Sequence, residues 1–536
     1  MLNTIRATRG MAVAPHSLAA QTGLAILRDG GNALEAAIGI AASLSAVYPH
    51  MTGLGGDSFW LAAAPGADVV AIDACGRAPD DLEPTFYRSR GLDAIPTRGP
   101  LAANTVAGTL SGWQAACELS RRWGGSLPLA RLLEDAVDYA QSGCAVTDGQ
   151  ARNTADKLSE LAPQPGFADA YLVGGRAPRA GSRQQQPALG ETLQRLAAAG
   201  FDDFYRGELA VAVAEDLARA GSPVGLKDLH GHQPTVGAPL QVALGGSLPE
   251  GRLYALGPPS QGLATLLILG QLAYRKPPLP ETESADYVHL LVEATKRAFR
   301  RRDRLLRDPM DMAGIDLAAL LEPKALAEEA AAIDAGAATP WAGPGDTGDT
   351  TWFGVVDGQG RAVSVIQSLY FEFGSGVVLP STGICWQNRG SSFNLDTDHP
   401  RCLRPGRKPF HTLCPSLARF ADGRVMVFGT MGGDGQPQTL AAVFSRYAGY
   451  GQPLQQAVSA PRWLLGRTWG ASSNSLKLEA RFAPDLAEAL RQRGHPVEMV
   501  GDFDEIMGHA GALVRHPDGI IEGAADPRSD GVAAGF

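Results

Sequence analysis

The 536-residue chain has 45% hydrophobic and 19% charged residues, the balance of a globular enzyme with a large core and room for two to four domains' worth of structure. Its formal net charge of −9, without a basic stripe, excludes nucleic acid and anionic membrane surfaces as principal partners. Cys75, Cys117, Cys144, Cys385, Cys402 and Cys414 are scattered, with no CxxC and no Cys/His ligand spacing, so they read as reduced thiols, and a cytoplasmic protein is expected.

The chain starts without an apolar run of signal-peptide length, and "AAIGIAASLSAVY" (37–49) is too short to span a bilayer. It reads as a core helix, capped by Asn32 after a helix that ends at "DGGN". "DSFWLAAA" and "DVVAIDA" predict paired strands. From about 110 to 335 the apolar residues recur every three or four positions, as in "LARLLEDAVDYAQ" and "YVHLLVEATKRAFRRRDRLL", which predicts helices. "RRRDRLLR" (300–307) reads as a solvated or salt-bridged helix face.

Residues 336–349, "GAATPWAGPGDTGD", break this pattern with Gly and Pro and read as an exposed connector. Strands follow: "TWFGVV", "AVSVIQSL", "GVVL", "SLARFA" and "RVMVFG". Helices resume in "TLAAVFSRYAG" and "APDLAEALRQRG", before two more strands. A helical half, a seam and a strand-rich half predict an α+β or layered αββα architecture.

Common catalytic motifs are missing. "GLGGD" (53–57) and "GTMGGDGQPQ" (429–438) do not fit GxGxxG at a strand-to-helix junction, and there is no GxxxxGK[ST], HExxH or GxSxG. The seam holds the other candidate. Thr350 is either a strand-edge residue or, once the Asp349–Thr350 bond is cut by an N→O acyl shift and hydrolysis, an N-terminal nucleophile. A free α-amine, with a pKa of about 7.7–8.0, can take the hydroxyl proton without a histidine. Gly432 and Gly433, after a strand, can present unobstructed backbone N–H groups to an oxyanion.

"DTTWFGVVD", "GSG", "KPFHTLCPSLARF", "GTMGGDGQPQ" and "GAADPRSDGVAAGF" resemble the gamma-glutamyltransferase family of N-terminal nucleophile hydrolases, as do "RDGGNALEAA", "GLGGDSFW", "GPPSQG" and "ADYVHLLVEATKRAFRRRDRLLRDP". The resemblance runs in order over nearly the whole chain. It implies a four-layer αββα sandwich made as one precursor and self-cleaved into a large subunit, 1–349, and a small subunit, 350–536. The two remain associated, as a heterodimer that can assemble further, and need neither metal nor organic cofactor.

Carried over residue by residue, the resemblance makes Thr350 the nucleophile, Ser368 its hydroxyl partner, and Gly432/Gly433 the oxyanion hole. The glutamate-recognition positions differ. Cys75 stands where the family has the Arg that holds an α-carboxylate, with Arg77 the nearest arginine. Tyr370 replaces an Asn, Arg389 and Ser392 replace the Gln and Asp that hold an α-ammonium, and His411-Thr412 replace a Ser-Ser pair. Trp352 stands where the family has a His. Read blandly, Arg389 is a structural ion-pair residue, His411 a satisfied core histidine and Tyr370 a packing residue. Read functionally, a lost carboxylate and a gained guanidinium repel an α-ammonium and favour a carboxylate without a neighbouring amine. The wording looks closer to the branch that includes oxamate amidohydrolase. Gamma-glutamyl amides and glutaryl (cephalosporin-type) amides are the alternatives.

Overall fold

Two seven-stranded sheets face each other across an apolar layer built from Met11, Val13, Phe59, Trp352, Ile366, Leu417, Val427 and Leu513. The computed structural model describes residues 3–276, 278–341, 349–466 and 473–536, Asp349 by its backbone alone. In spatial order one sheet runs Val532–Gly535, Gly10–Ala14, Asp349–Asp357, Ala362–Tyr370, Asp57–Ala63, Val70–Ala74 and Thr235–Gly237. The other runs Ile5–Ala7, Ile521–Ala525, Gly511–Arg515, Val425–Gly429, Ser416–Phe420, Gly251–Ala255 and Leu240–Leu244. Neighbouring strands are antiparallel throughout both sheets.

Period-2 alternation sorts each strand's side chains between two cores. Along Asp349–Asp357, Trp352 and Val356 enter the layer between the sheets, whereas Phe353 and Val355 point outward into a helix-covered core. Helices Ser17–Arg28 and Ala33–Val47 cover that outer face. The second helix is buried along its whole length, which suits its run of Ala, Ile, Leu and Ser, and Asn32 and Glu35 close its N-terminus in a reciprocal capping box. Helices Gly262–Ala273, Ala285–Leu305 and Gly435–Phe444 cover the other sheet. The result is the expected α+β four-layer αββα arrangement.

The part before residue 349 is helix-rich, as expected, but not helical throughout between 110 and 335. Strands Thr235–Gly237, Leu240–Leu244 and Gly251–Ala255 lie inside the stretch expected to be helical. They are too short, and too bounded by Gly and Pro, to compete with the helical periodicity around them. "GVVL" forms no strand, only an isolated bridge between Val378 and Cys385. Of the face expected to be solvated or salt-bridged, Arg302 takes the second form, 1% exposed and paired with Asp434. Of the connector 336–349, residues 342–348 lie outside the described residues. The part just upstream is tied down: Lys296 Nζ donates to Thr339 O (2.7 Å) and Ala338 N to Arg493 O (2.7 Å).

The indole of Trp352 sets how the sheets meet. It lies against Gly429 and Gly511, a register pair on the facing sheet, where an added Cβ would come within 1.8 Å and 2.3 Å of it. Only glycine fits at both positions, so the start of strand Asp349–Asp357 is held over the exit of strand Val425–Gly429. Thr350 and the Gly432–Gly433 turn therefore share one end of the sandwich.

Candidate active site

Thr350 is joined to Asp349 within one strand and is buried, and among the described residues its Oγ has no hydrogen-bond partner. Its strand partner is irregular there. Asp349 pairs with Tyr370 and Thr351 with Gln367, so two residues, Ser368 and Leu369, oppose Thr350. Such a bulge re-aims side chains. Tyr370 takes up the distortion with φ +86°, a left-handed conformation that costs a non-glycine residue about 1–3 kcal/mol. This strain lies directly across from the Asp349–Thr350 bond. The Ser368 hydroxyl accepts the Tyr370 N–H at 2.8 Å, and Ser368 pairs with Asp57 on the next strand.

The Gly432–Gly433 turn follows strand Val425–Gly429. Gly432 sits at φ +117°, which only glycine adopts readily, and Gly433 at φ +50°. The carbonyls of the turn are all engaged. Met431 O accepts from Thr430 Oγ (2.9 Å), Gly432 O from Gly435 N (2.7 Å), and Gly433 O from Gln261 Nε2 (2.8 Å). In a trans peptide the N–H points opposite its carbonyl, so these bonds also aim the Gly432 and Gly433 N–H groups. Neither donates to any group among the described residues.

Residues remote in sequence fix this turn. Gln261 Nε2 donates to Gly433 O and to Thr412 O (2.7 Å), joining the turn to the segment that carries His411 and Thr412. Arg302 donates to Gln261 Oε1 at 2.8 Å and pairs with Asp434 through both terminal nitrogens, at 2.6 and 3.2 Å. Gln261, Arg302 and Asp434 were not singled out from the sequence. Their sequence signals are the "GPPSQG", "RRRDRLLR" and "GTMGGDGQPQ" stretches that contain them.

The third group surrounds Arg389. Its guanidinium lies 3.7 Å above the centre of the Tyr370 ring and Nη1 donates to Thr412 Oγ at 3.2 Å. Asp57, in the "GLGGD" stretch, accepts from Gly76 N, Gly108 N and Gln387 Nε2 on Oδ1, and from His411 Nε2 (3.1 Å) on Oδ2. Burial raises the Asp57 pKa to about 6 against these bonds and the nearby Arg389, and holds His411 neutral, well below its ordinary value. Burial also pushes the Cys75 thiol well up. His411 is thus an internally satisfied histidine that also holds the Thr412 segment.

The remaining candidates fall outside this group. Arg77 is 40% exposed on its side chain, donates to Gly406 O at 3.2 Å and lies 3.5 Å from Asp308. Ser392 Oγ donates to Phe410 O at 3.0 Å, tying the Arg389 turn to the His411 segment. Asp57, Cys75 and His411 could hold a metal by proximity, but the Arg389 guanidinium beside them disfavours a cation.

A buried threonine hydroxyl, an aimed pair of backbone donors and a buried arginine lie at one end of the αββα sandwich. The gamma-glutamyltranspeptidase family model matches residues 19–536. The chain belongs to the gamma-glutamyltranspeptidase family. It is 55% identical over 530 residues to the oxamate amidohydrolase proenzyme of Klebsiella pneumoniae, covering 99% of each chain. It is 41% identical to the glutathione hydrolase-like YwrD proenzyme of Bacillus subtilis, covering 100% of both. Among solved structures it resembles cephalosporin acylase from Bacillus halodurans, with TM-score 0.90 and 32% identity, over 100% of this chain and 97% of that one. The fold is that of the N-terminal nucleophile hydrolases in this family, and no described helix is long and apolar enough to cross a membrane.

Proposed function

We infer that this family member is a self-processing amidohydrolase that cuts its own Asp349–Thr350 bond and then hydrolyses a small carboxylate-bearing amide of the oxamate type. The observation that carries the reading is Arg389, buried flat on Tyr370 at the same end of the sandwich as Thr350, where the resemblance would place an ammonium-binding carboxamide. An arginine whose face is stacked directs its hydrogen bonding along its edge, which suits a planar carboxylate. The nearby Asp57 carboxylate does not cancel this, because four donors already hold it. The 55% identity to an oxamate amidohydrolase proenzyme points the same way.

In processing, Thr350 Oγ attacks the Asp349 carbonyl, the amide becomes an ester, and water hydrolyses it, freeing the Thr350 amine. Strain at Tyr370 and the bulge opposite that bond favour its distortion. In turnover Oγ attacks the substrate amide while the α-amine accepts its proton, and the Gly432 and Gly433 N–H groups stabilise the oxyanion. The proton passes to the leaving nitrogen, ammonia departs, and water cleaves the acyl-threonine ester.

A second reading, a glutaryl-type amide as substrate, is favoured by the TM-score of 0.90 to a cephalosporin acylase. The deciding experiment is intact mass and N-terminal sequencing of wild type and Thr350→Ala, with ammonia release from oxamate followed in the same preparations. Two fragments, the smaller beginning Thr-Thr-Trp, an uncut variant and ammonia from the wild type support the proposal. Processing without ammonia turns the choice to glutaryl and gamma-glutamyl amides. An uncut, inert wild type refutes it.

A further inference from the structure

A set of imidazoles that the reaction above does not use lies on segments that pack against the Gly432 turn, the Tyr370 segment and the Thr350 strand. His50 sits in the turn between helix Ala33–Val47 and strand Asp57–Ala63. Its carbonyl accepts the Phe373 N–H at 2.8 Å, three residues beyond Tyr370. His509 precedes strand Gly511–Arg515 and follows Gly508, whose Cα lies 3.6 Å from where a Cβ on Gly432 would stand. It shares a small cavity with Pro15 and Trp352. His16 ends the segment after strand Gly10–Ala14, which pairs with the nucleophile strand at Val13–Gly354, and its Nδ1 caps the next helix by accepting Leu18 N–H at 3.2 Å. The His16 and His50 rings are linked through Tyr48, with centroids 5.9 and 4.3 Å from it.

Among the described residues, both ring nitrogens of His50 and both of His509 are buried without a hydrogen-bond partner, as are the Thr52 and Thr350 hydroxyls. Buried polar atoms are rarely left so, and a group of them marks a place where water or a small polar ligand completes the bonding. The set extends outward to Glu505, 3.8 Å from His509 Nε2, and to its ion-pair partner Arg152 at the surface. The reaction must admit and release two small polar species, water and ammonia, which suit such a group of unpartnered atoms.

We propose that His50 and His509 line a polar chamber that binds the hydrolytic water, and the departing ammonia, beside Thr350; this rests on the acyl-threonine reading above. A neutral imidazole offers one N–H donor and one acceptor nitrogen, so the pair orients a water by giving and taking hydrogen bonds. The water oxygen bonds to the ester carbonyl carbon, its proton passes to the Thr350 α-amine, and the carbon–Oγ bond breaks. Oγ recovers that proton, leaving a carboxylic acid and free threonine. His50 and His509 are positioning residues here, acting through the water.

The test uses processed enzyme with His50→Leu and His509→Leu, and the polar His50→Gln and His509→Gln in case an apolar side chain prevents folding. Ammonia release from oxamate and the mass of the small subunit are followed on mixing. Misplaced water slows deacylation alone, so kcat should fall about 10- to 100-fold in the Leu variants, with kcat/KM nearly kept and acyl-Thr350 accumulating. Hydroxylamine, which needs no positioned water, should restore turnover, and the Gln variants should lie between Leu and wild type. Unchanged kcat, or kcat and kcat/KM falling together without an acyl intermediate, overturns the chamber while wild-type turnover keeps the acyl-threonine reading. A wild type that forms no acyl-threonine overturns both.

Discussion

Arg302 and Asp434 form a buried two-point ion pair, at 2.6 and 3.2 Å, immediately after the Gly432–Gly433 turn. Removing one partner strands the other charge in the interior, which costs about 3–5 kcal/mol. Arg302→Met should therefore lower the unfolding free energy by about that amount in denaturant titrations, and lower kcat as the turn loosens. The double variant Arg302→Met/Asp434→Leu should regain stability but not kcat. A single variant as stable as wild type would remove the pair from the account of the turn.

Arg389→Lys keeps the charge and loses both the flat stack on Tyr370 and the guanidinium edge. A charge-assisted hydrogen bond contributes about 1.5–3 kcal/mol, so KM for oxamate should rise about 10- to 100-fold with processing unaffected. The check is steady-state kinetics on enzyme shown by mass to be cleaved. An unchanged KM would leave Arg389 as a structural residue.

Asp57 and His411 act on stability with opposite signs. Asp57, with its pKa raised to about 6, binds a proton more readily folded than unfolded, so it lowers stability as pH rises from about 4 to about 6. His411, held well below 6.5, binds a proton more readily unfolded, so it lowers stability as pH falls below 6.5. In wild type these slopes offset one another across most of that window. Asp57→Asn removes the first and leaves the second, adding a loss that approaches about 1.4 kcal/mol per pH unit as pH falls from about 6 toward 4, relative to wild type. Urea titrations of both proteins from pH 7 to pH 5 measure it, and parallel curves would count against the pair.

A methyl group on Gly429 would collide with the Trp352 indole at 1.8 Å. Gly429→Ala should destabilise by about 1–3 kcal/mol through overpacking and slow self-cleavage, because the start of the nucleophile strand must shift. Adding Trp352→Leu should relieve the collision and recover part of the cleavage rate. Gel-resolved cleavage time courses give the comparison.

The parts of this site differed in how legible they were. Thr350 and the glycine pair could be read because each needs a local pattern: a strand after a Gly/Pro seam, and two glycines after a strand. Arg389, Tyr370 and Thr412 could be named only through resemblance, and their stacking and hydrogen bond appear only in three dimensions. Asp57 was set aside with a glycine-rich loop, since its four donors come from segments up to 354 residues away. The salt-bridged character of the 300–307 helix face is legible, but a basic run on a helix does not reveal that Arg302 is the arginine that turns inward. Arg77 was nearest in sequence to the expected arginine, but its side chain leaves toward Asp308 and Gly406. The short strands between 235 and 255 were hidden because sheet membership is a tertiary property.

The strand order also bears on what a cut before Thr350 would produce. In each sheet, strands from after residue 349 lie between strands from before it, with Asp349–Asp357 beside Gly10–Ala14 and Ser416–Phe420 beside Gly251–Ala255. The two pieces would be interlaced rather than docked, and neither would have a complete sheet of its own. Diluting the cleaved enzyme should then cost no activity, because parting its chains requires unfolding both. Making the pieces from separate messages should fail, since each would emerge with raw β-edges that invite aggregation.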